Sequence, residues 1–479
     1  TESYTEQYPY FNVNLASSVK LVGKITETSG GFTRYQDYRY TGGVSHVQGQ
    51  GFLGFKQIKK TNVYGNSVQT LWNITDFDVQ KKGAPIQNWV STSPSNIPSS
   101  YINKTDYSYD TQVLANKVFI NLKNQFVMPG LIDMHVHVTF ERDSKANPHR
   151  WATEYDADYA LRSIKYLQRT LDAGFTSVRD LGSDHKVIFP LKRAIERNDI
   201  NGPRIFAASN TISPTGGHAD MHGYRKDITD AVTGGIGICN GADDCSRAVR
   251  EVIKSGADVI KITATGGVLS NTAAGVNQQL TDAELIAIVD TAHHLGRKVT
   301  AHAHGTQGIK AALKAGVDSI EHGSYLDKEA IKLFKKTGAY LVPTLLAGAT
   351  VSEEVLTNPN MPPAIADKVR EVTPKMQASF KLALKNKVNI AFGTDSGVSR
   401  HGLNANEFSL MVNNGMSEAQ AIKSATIHAA KLLWQSAFIG DLSVGKQADI
   451  ISVNGSPLED INVLKNVQFV MKAGQIYKQ

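Results

Sequence analysis

The sequence predicts an α/β protein: a (β/α)8 TIM barrel with a small flanking β-sandwich domain built from both chain ends. Three observations carry that prediction. Between residues 131 and 397, short strand-like runs alternate with longer helical stretches, giving eight strands in all. The stretch before about residue 127, rich in Tyr, Thr, Ser, Asn, Val and Gly, and the stretch after about residue 438 read instead as short alternating strands. A doubly wound sheet, the competing class, lacks a G-x-G-x-x-G after its first strand. The expected domains are therefore 1–127 with 438–479 as a discontinuous β-sandwich, and 128–437 as the barrel.

Taken in order, the barrel opens with the strand LIDMHVHV and the helical ADYALRSIKYLQRTLDAG. FTSVRDLG and HKVIFPLKRAIERN form the second pair, and PRIFAASN precedes the helix CSRAVREVIKSGA. DVIKITATGG leads to DAELIAIVDTAHHLG, KVTAHAHG to GIKAALKAG, and DSIEHGS to KEAIKLFKKTG. AYLVPTL, a long helical stretch ending in FKLALKNK, and NIAFGTDSG complete the set. GDLSVGKQADIISVNG and VQFVMKAGQIYK then return to alternating strands, expected to pair with the N-terminal ones. Residues 83–112, which include STSPSNIPSS, are a polar excursion to which the sequence assigns no order and no role.

Composition narrows the function. The chain has 479 residues, 41% of them hydrophobic and 20% charged, enough to bury a large core. No apolar run reaches the length of a membrane span. The net charge of +7 comes from 51 basic and 44 acidic residues without a dense Lys/Arg block, so no nucleic-acid partner is expected. The first residue is Thr, which fits removal of an export signal; a periplasmic or secreted location is expected, with the cytoplasm left open. Cys239 and Cys245, in CNGADDC, are close enough to close a small loop in an oxidising compartment, and two free thiols are an equal alternative.

In a barrel of this kind the C-terminal strand ends form one rim, where reactive groups gather. His135 and His137 stand two apart on the first strand and so face the same side. Lys261 lies in the fourth strand, His302 and His304 end the fifth, His322 the sixth and Asp395 the eighth. A lone Asp after a strand is most often a turn or cap, and a pair of strand-end imidazoles can be satisfied by hydrogen bonds. Lys261 is harder to dismiss, because burying an ammonium is costly unless it is paired or neutralised. His293 and His294 lie on a helix and His428 on the last one, where packing or capping explains them better.

These residues resemble the amidohydrolase superfamily, in its binuclear-metal prolidase-like and carboxypeptidase-like branch. The likeness runs through VMPGLIDMHVHV, TSVRDLG, SPTGGH, ADVIKITATGG, VTAHAHG, DSIEHGS, FGTDSG and GDLSVGKQADI. It implies that His135, His137 and Asp395 hold one metal ion and His302 and His322 a second. It further implies that Lys261, carboxylated by carbon dioxide, bridges the two. The cofactors expected are two divalent ions, zinc foremost, and carboxylated Lys261. Imidazole and carboxylate donors suit zinc, and a metal-bridged hydroxide is a nucleophile at neutral pH, with Asp395 moving the proton.

The expected activity is hydrolysis of the amide bond of dipeptides or N-acyl amino acids, Xaa-Pro dipeptidase-like or carboxypeptidase-like. Substrate-binding candidates are His304, His218, Arg225 and His401. Relatives that release proline often carry Tyr at the position of His304, which opens the choice between these two specificities. Gly266 and Gly267 fit a tight turn beside the metals better than a phosphate loop. Two other readings stand beside the first: an amidohydrolase of a lactone, cyclic amide or N-acyl toxin, and a barrel that binds without catalysis. The partner expected is a small-molecule substrate, with a homo-oligomer possible for the assembly.

Overall fold

The structure, a computed structural model, describes residues 10–12, 24–29, 32–46, 51–61, 72–78, 84–91, 101–106 and 120–479, except 123, 144–145, 148, 226, 230–235, 271–274 and 360. The chain divides into two compact units, Thr1–Ile120 and Asn121–Gln479. The first holds a seven-stranded sheet paired antiparallel throughout. Phe32–His46 takes Tyr10–Asn12 and Lys24–Ser29 as partners and leads to Gly51–Thr61, Trp72–Asp78, Ala84–Ser91 and Tyr101–Asp106. The last two strands fall within the 83–112 segment that its polar composition left unassigned. Their backbone groups are matched by antiparallel neighbours, a source of order that a scan for apolar residues does not register.

The second unit is an α/β fold of parallel strands. We label these β1 (Leu131–Val136), β2 (Phe175–Asp180), β3 (Arg204–Ala207), β4 (Val259–Thr263), β5 (Lys298–Ala303), β6 (Ser319–His322), β7 (Tyr340–Val342) and β8 (Asn389–Ile390). They form a three-stranded sheet ordered β3-β2-β1 and a five-stranded sheet ordered β4 to β8. The two sheets are joined at both outer edges by backbone hydrogen bonds. Met134 N donates to Phe392 O (2.9 Å) and His137 N to Ser396 O (2.7 Å), while Ile212 N donates to Lys261 O (2.8 Å) and Thr263 N to Ile212 O (3.0 Å). Every residue of β1, β2 and β4 is buried, as expected for strands covered on both faces.

Helices follow the strands as the periodicity predicts, and their ends are written in the sequence. Thr281 and Glu284 close a capping box at the start of Asp282–His294. Gly256, Gly316 and Gly338 end three other helices in the left-handed conformation. Among the described residues, the last strands pair within the second unit. Ile450–Val453 pairs with Phe126–Pro129, and Val467–Lys472 and Gln475–Lys478 complete a four-stranded sheet inside the second unit. The boundary therefore falls after residue 120, because the strand that receives the C-terminus lies on the second unit's side of it. Cys239 and Cys245 are joined in a disulfide, Cα–Cα 4.9 Å.

Candidate metal centre

Parallel register sets the level at which the side chains meet. Thr263 of β4 lies beside His302 of β5, and Ala303 of β5 beside His322 of β6. His135, His137, Lys261, His302, His304, His322 and Asp395 all line one cavity of about 360 Å³ at the C-terminal ends of the strands. Lys261 Nζ lies 3.5 Å from His135 Nε2. Asp395 Oδ1 stands 3.1 Å from His137 Nε2 and 3.5 Å from His135 Nε2. The rings of His302 and His322 are 4.7 Å apart, and His304 stacks on His322 at 4.8 Å.

Nδ1 is already committed in four of these rings, while His302 approaches the Gly266 carbonyl through Nε2 (3.4 Å). His135 Nδ1 donates to Glu321 Oε2 (2.8 Å) and His137 Nδ1 to Gly182 O (3.1 Å). His322 Nδ1 bonds the Thr344 hydroxyl (2.7 Å), and His304 Nδ1 the Ser324 hydroxyl (2.6 Å). With Nδ1 as the donor, the neutral form of each ring of the first pair turns its Nε2 lone pair toward the buried Asp395 Oδ1, 3.5 Å from His135 and 3.1 Å from His137. A cation between them satisfies both, either a metal ion or the proton that Asp395 favours on His137. Among the described residues two ligand sets satisfy the distances, His135 with His322 and Asp395, and His302 with His304 and His322. The donors fit divalent ions such as zinc.

Electrostatics point the same way. Burial holds His135 down to about 4, and burial with crowding by neighbouring rings keeps His302 and His322 well below the usual imidazole range. These rings are neutral, the form that ligates metal. Burial alone would lower the pKa of His137, but Asp395 outweighs it and raises it. Burial lowers the Lys261 ammonium to about 8, so its neutral amine is accessible near physiological pH. Backbone geometry adds strain at the same rim. His322 (φ 69°), Thr344 (φ 50°) and Asp395 (φ 58°) sit in the left-handed region, which costs on the order of 1–3 kcal/mol for a non-glycine residue.

Of the outer candidates, His218 reaches the cavity and Arg225 and His401 do not. The His218 ring lies 4.3 Å from that of His302 and directly over Gly267, where a Cβ would come within 2.2 Å of it. Glycine at 267 is thus required by the ring it supports. Arg225 is exposed and pairs with Asp227 two residues on (2.6 Å), a local partner that keeps it in its loop. His401 stacks on Tyr166 at 5.0 Å and bonds the Phe140 carbonyl through Nε2 (2.8 Å), so it packs behind the cavity wall.

The sequence reading passed over the network that holds His135. Glu321 is fully buried and accepts from His135, from Arg179 Nη2 (2.8 Å), from Ser319 Oγ (2.8 Å) and from the Thr300 hydroxyl. Arg179 also donates Nε to Met134 O (2.7 Å), locking the backbone beside His135. Asp133 does the same beneath Asp395, accepting from Thr394 Oγ1 (2.6 Å) and Asn404 Nδ2 (2.8 Å). The signal was present: Arg179 and Glu321 are charges inside apolar strands, the anomaly that drew attention to Lys261.

The fold gathers imidazoles, a carboxylate and a buried lysine at its strand ends, a candidate group of metal ligands in an α/β protein. The family model of the amidohydrolase family matches residues 126–477, and the chain belongs to that family. It is 32% identical over 413 residues to ochratoxinase of Aspergillus niger, covering 81% of this chain and 80% of that protein. A Xaa-Pro dipeptidase solved with methionine in its active site superposes with a TM-score of 0.72 at 38% identity, covering 86% of this chain and 95% of that one. A prolidase solved with N-methylphosphonate-L-proline gives 0.70 at 32% identity, covering 87% and 96%.

Proposed function

We propose that this protein is a metal-dependent hydrolase of the amide bond in dipeptides or N-acyl amino acids. The observation that carries the proposal is the convergence of buried imidazoles and Asp395 on one cavity, with Asp395 Oδ1 3.5 Å from His135 Nε2 and 3.1 Å from His137 Nε2. We read the doubly joined parallel sheets as a closed (β/α)8 barrel. His135, His137 and Asp395 would hold one divalent ion, His302 and His322 another, and Lys261, carboxylated on Nζ, would be shared. Such ions, when bound, supply Lewis acidity toward the scissile carbonyl and lower the pKa of a nucleophilic water.

The chain's own residues do the rest. The Lys261 ammonium gives up one proton, and the resulting neutral amine can attack carbon dioxide: the N–C bond forms as a C=O π pair moves onto oxygen, and a second proton leaves to solvent, so that a buried cation is replaced by an anion. Asp395 takes a proton from the attacking water at its Oδ atoms and returns it to the leaving nitrogen. His304 and His218 line the cavity, and on this reading they would hydrogen-bond the substrate's carboxylate or carbonyl oxygen. The likeness to ochratoxinase favours a second reading, hydrolysis of an N-acyl amino acid in a toxin rather than of a dipeptide. The Cys239–Cys245 bond supports an oxidising, exported location.

The test is metal analysis followed by a substrate panel. About two ions per chain, loss of turnover on chelation, and release of amino acid from dipeptides or N-acyl amino acids are expected. A protein that binds no metal, or a metal-loaded protein that cleaves neither substrate class, overturns the proposal.

A further inference from the structure

One wall of the cavity has a chemistry that the metal centre does not explain. After β7 the chain forms two consecutive helices, Leu345–Thr357 and Pro363–Lys385, which contribute Gly348, Val351, Val372 and Met376 to the cavity. Val268 and Leu269, from the loop after β4, line it as well. No ionisable side chain from either helix reaches the lining among the described residues. The ammonium nearest this loop, Lys368, is already engaged: its Nζ donates to Gly267 O (3.3 Å) and Ser270 O (2.5 Å). Lys368 thereby straps the loop that carries Val268 and Leu269.

Gly348 stands out within this wall. A glycine inside a helix is about 1 kcal/mol less favourable than alanine. Here a Cβ would meet Met376 Sδ at 3.1 Å and Thr373 Cγ2 at 3.6 Å. Any side chain at 348 displaces the Met376 thioether, a flexible group that itself faces the cavity. The cavity volume lies in the range of about 300–1,000 Å³ that encloses small-molecule ligands.

We infer that this wall is the binding slot for a bulky apolar side chain of the substrate, aromatic or branched aliphatic, and that Gly348 and Met376 set its depth. The inference rests on the proposed amide hydrolysis for the identity of the substrate, but the slot can be measured without turnover. The protein discriminates by burial of apolar surface, for which one misplaced methylene changes selectivity roughly 10- to 200-fold.

Two variants that act in opposite directions test it. Gly348→Leu fills the slot and Met376→Ala enlarges it. In the metal-loaded wild type and both variants, the ratio of kcat/KM for N-acetyl-phenylalanine over N-acetyl-alanine is measured, and in parallel the ratio of Kd for L-phenylalanine and L-alanine by calorimetry. The wild type is expected to favour the phenylalanine compounds tenfold or more. Gly348→Leu should lower that preference tenfold or more, and Met376→Ala should retain or raise it. Because ratios are compared, a general loss of folding cancels. Equal ratios in the three proteins, or no wild-type preference in either measurement, overturn the slot. Discriminating binding with no hydrolysis of either compound supports the slot and counts against the proposed activity instead.

Discussion

Glu321 shows how much one buried side chain can decide. Burial by itself would raise its pKa, yet Arg179 and His135 pull it down to about 2, so it is an anion at every working pH. That anion fixes the proton of His135 on Nδ1 and leaves Nε2 to ligate. Glu321→Gln keeps the shape and removes the charge. The Arg179 guanidinium then lies buried without its counter-ion, and breaking such a pair is typically destabilising by about 3–5 kcal/mol. Loss of an orienting partner typically weakens metal binding about 10- to 100-fold. We expect both effects, read by urea unfolding and by competition with a chelator. A variant that holds zinc within twofold of the wild type would show that His135 does not depend on Glu321.

Among the elements, the helix Leu345–Thr357 has its first N–H groups met from a distance. Leu345 N and Leu346 N donate to the Glu407 carboxyl (2.9 and 2.6 Å), which is completely buried. Burial raises its pKa to about 8, against the pull of those two donors. The folded state therefore keeps a proton that the unfolded chain loses near 4.5, and stability falls as pH rises from about 4.5 to 8, by at most about 1.4 kcal/mol per pH unit. Glu407→Gln cannot ionise and gives up one acceptor. It should be less stable than the wild type near pH 5 and close that gap by pH 8, as measured by denaturant titration; a gap that does not move with pH would refute the assignment. Nothing within a window of a few residues around Glu407 reveals a partner 61 positions away. The same limit explains the rest of what was and was not legible. Alternating periodicity located the eight parallel strands, and the strand-end rule brought His135, His137, Lys261, His302, His304, His322 and Asp395 to one cavity. His218 and Arg225 share one loop and one composition, yet only His218 reaches the cavity, because the direction of a side chain in a loop is decided by what it packs on.

For the molecule as a whole, the centre ties together β1, β4, β5 and β6 and the segment after β8, elements that span residues 135 to 395. No helix among the described residues is long and apolar enough to cross a membrane. An ion bound at this junction stabilises every element it joins, because the unfolded chain cannot present the ligands together. At a free ion concentration 100 times Kd the linkage contributes about 2.7 kcal/mol, enough to shift the unfolding midpoint by several degrees. Stripping the metal should lower Tm, and added zinc should restore it. The sign of the pH effect follows from the ligands. On the proposed ligand set, metal would bind the deprotonated forms, and His135 and Lys261 lose protons at about 4 and about 8, so acid would return protons to the site and weaken ion binding. The Tm difference between loaded and stripped protein should accordingly be larger at pH 8 than at pH 5. Calorimetric scans of the two forms at both pH values measure it directly. Should the difference be absent, or be larger at pH 5, the side chains gathered at the strand ends would not be acting as the joint ligands of an ion.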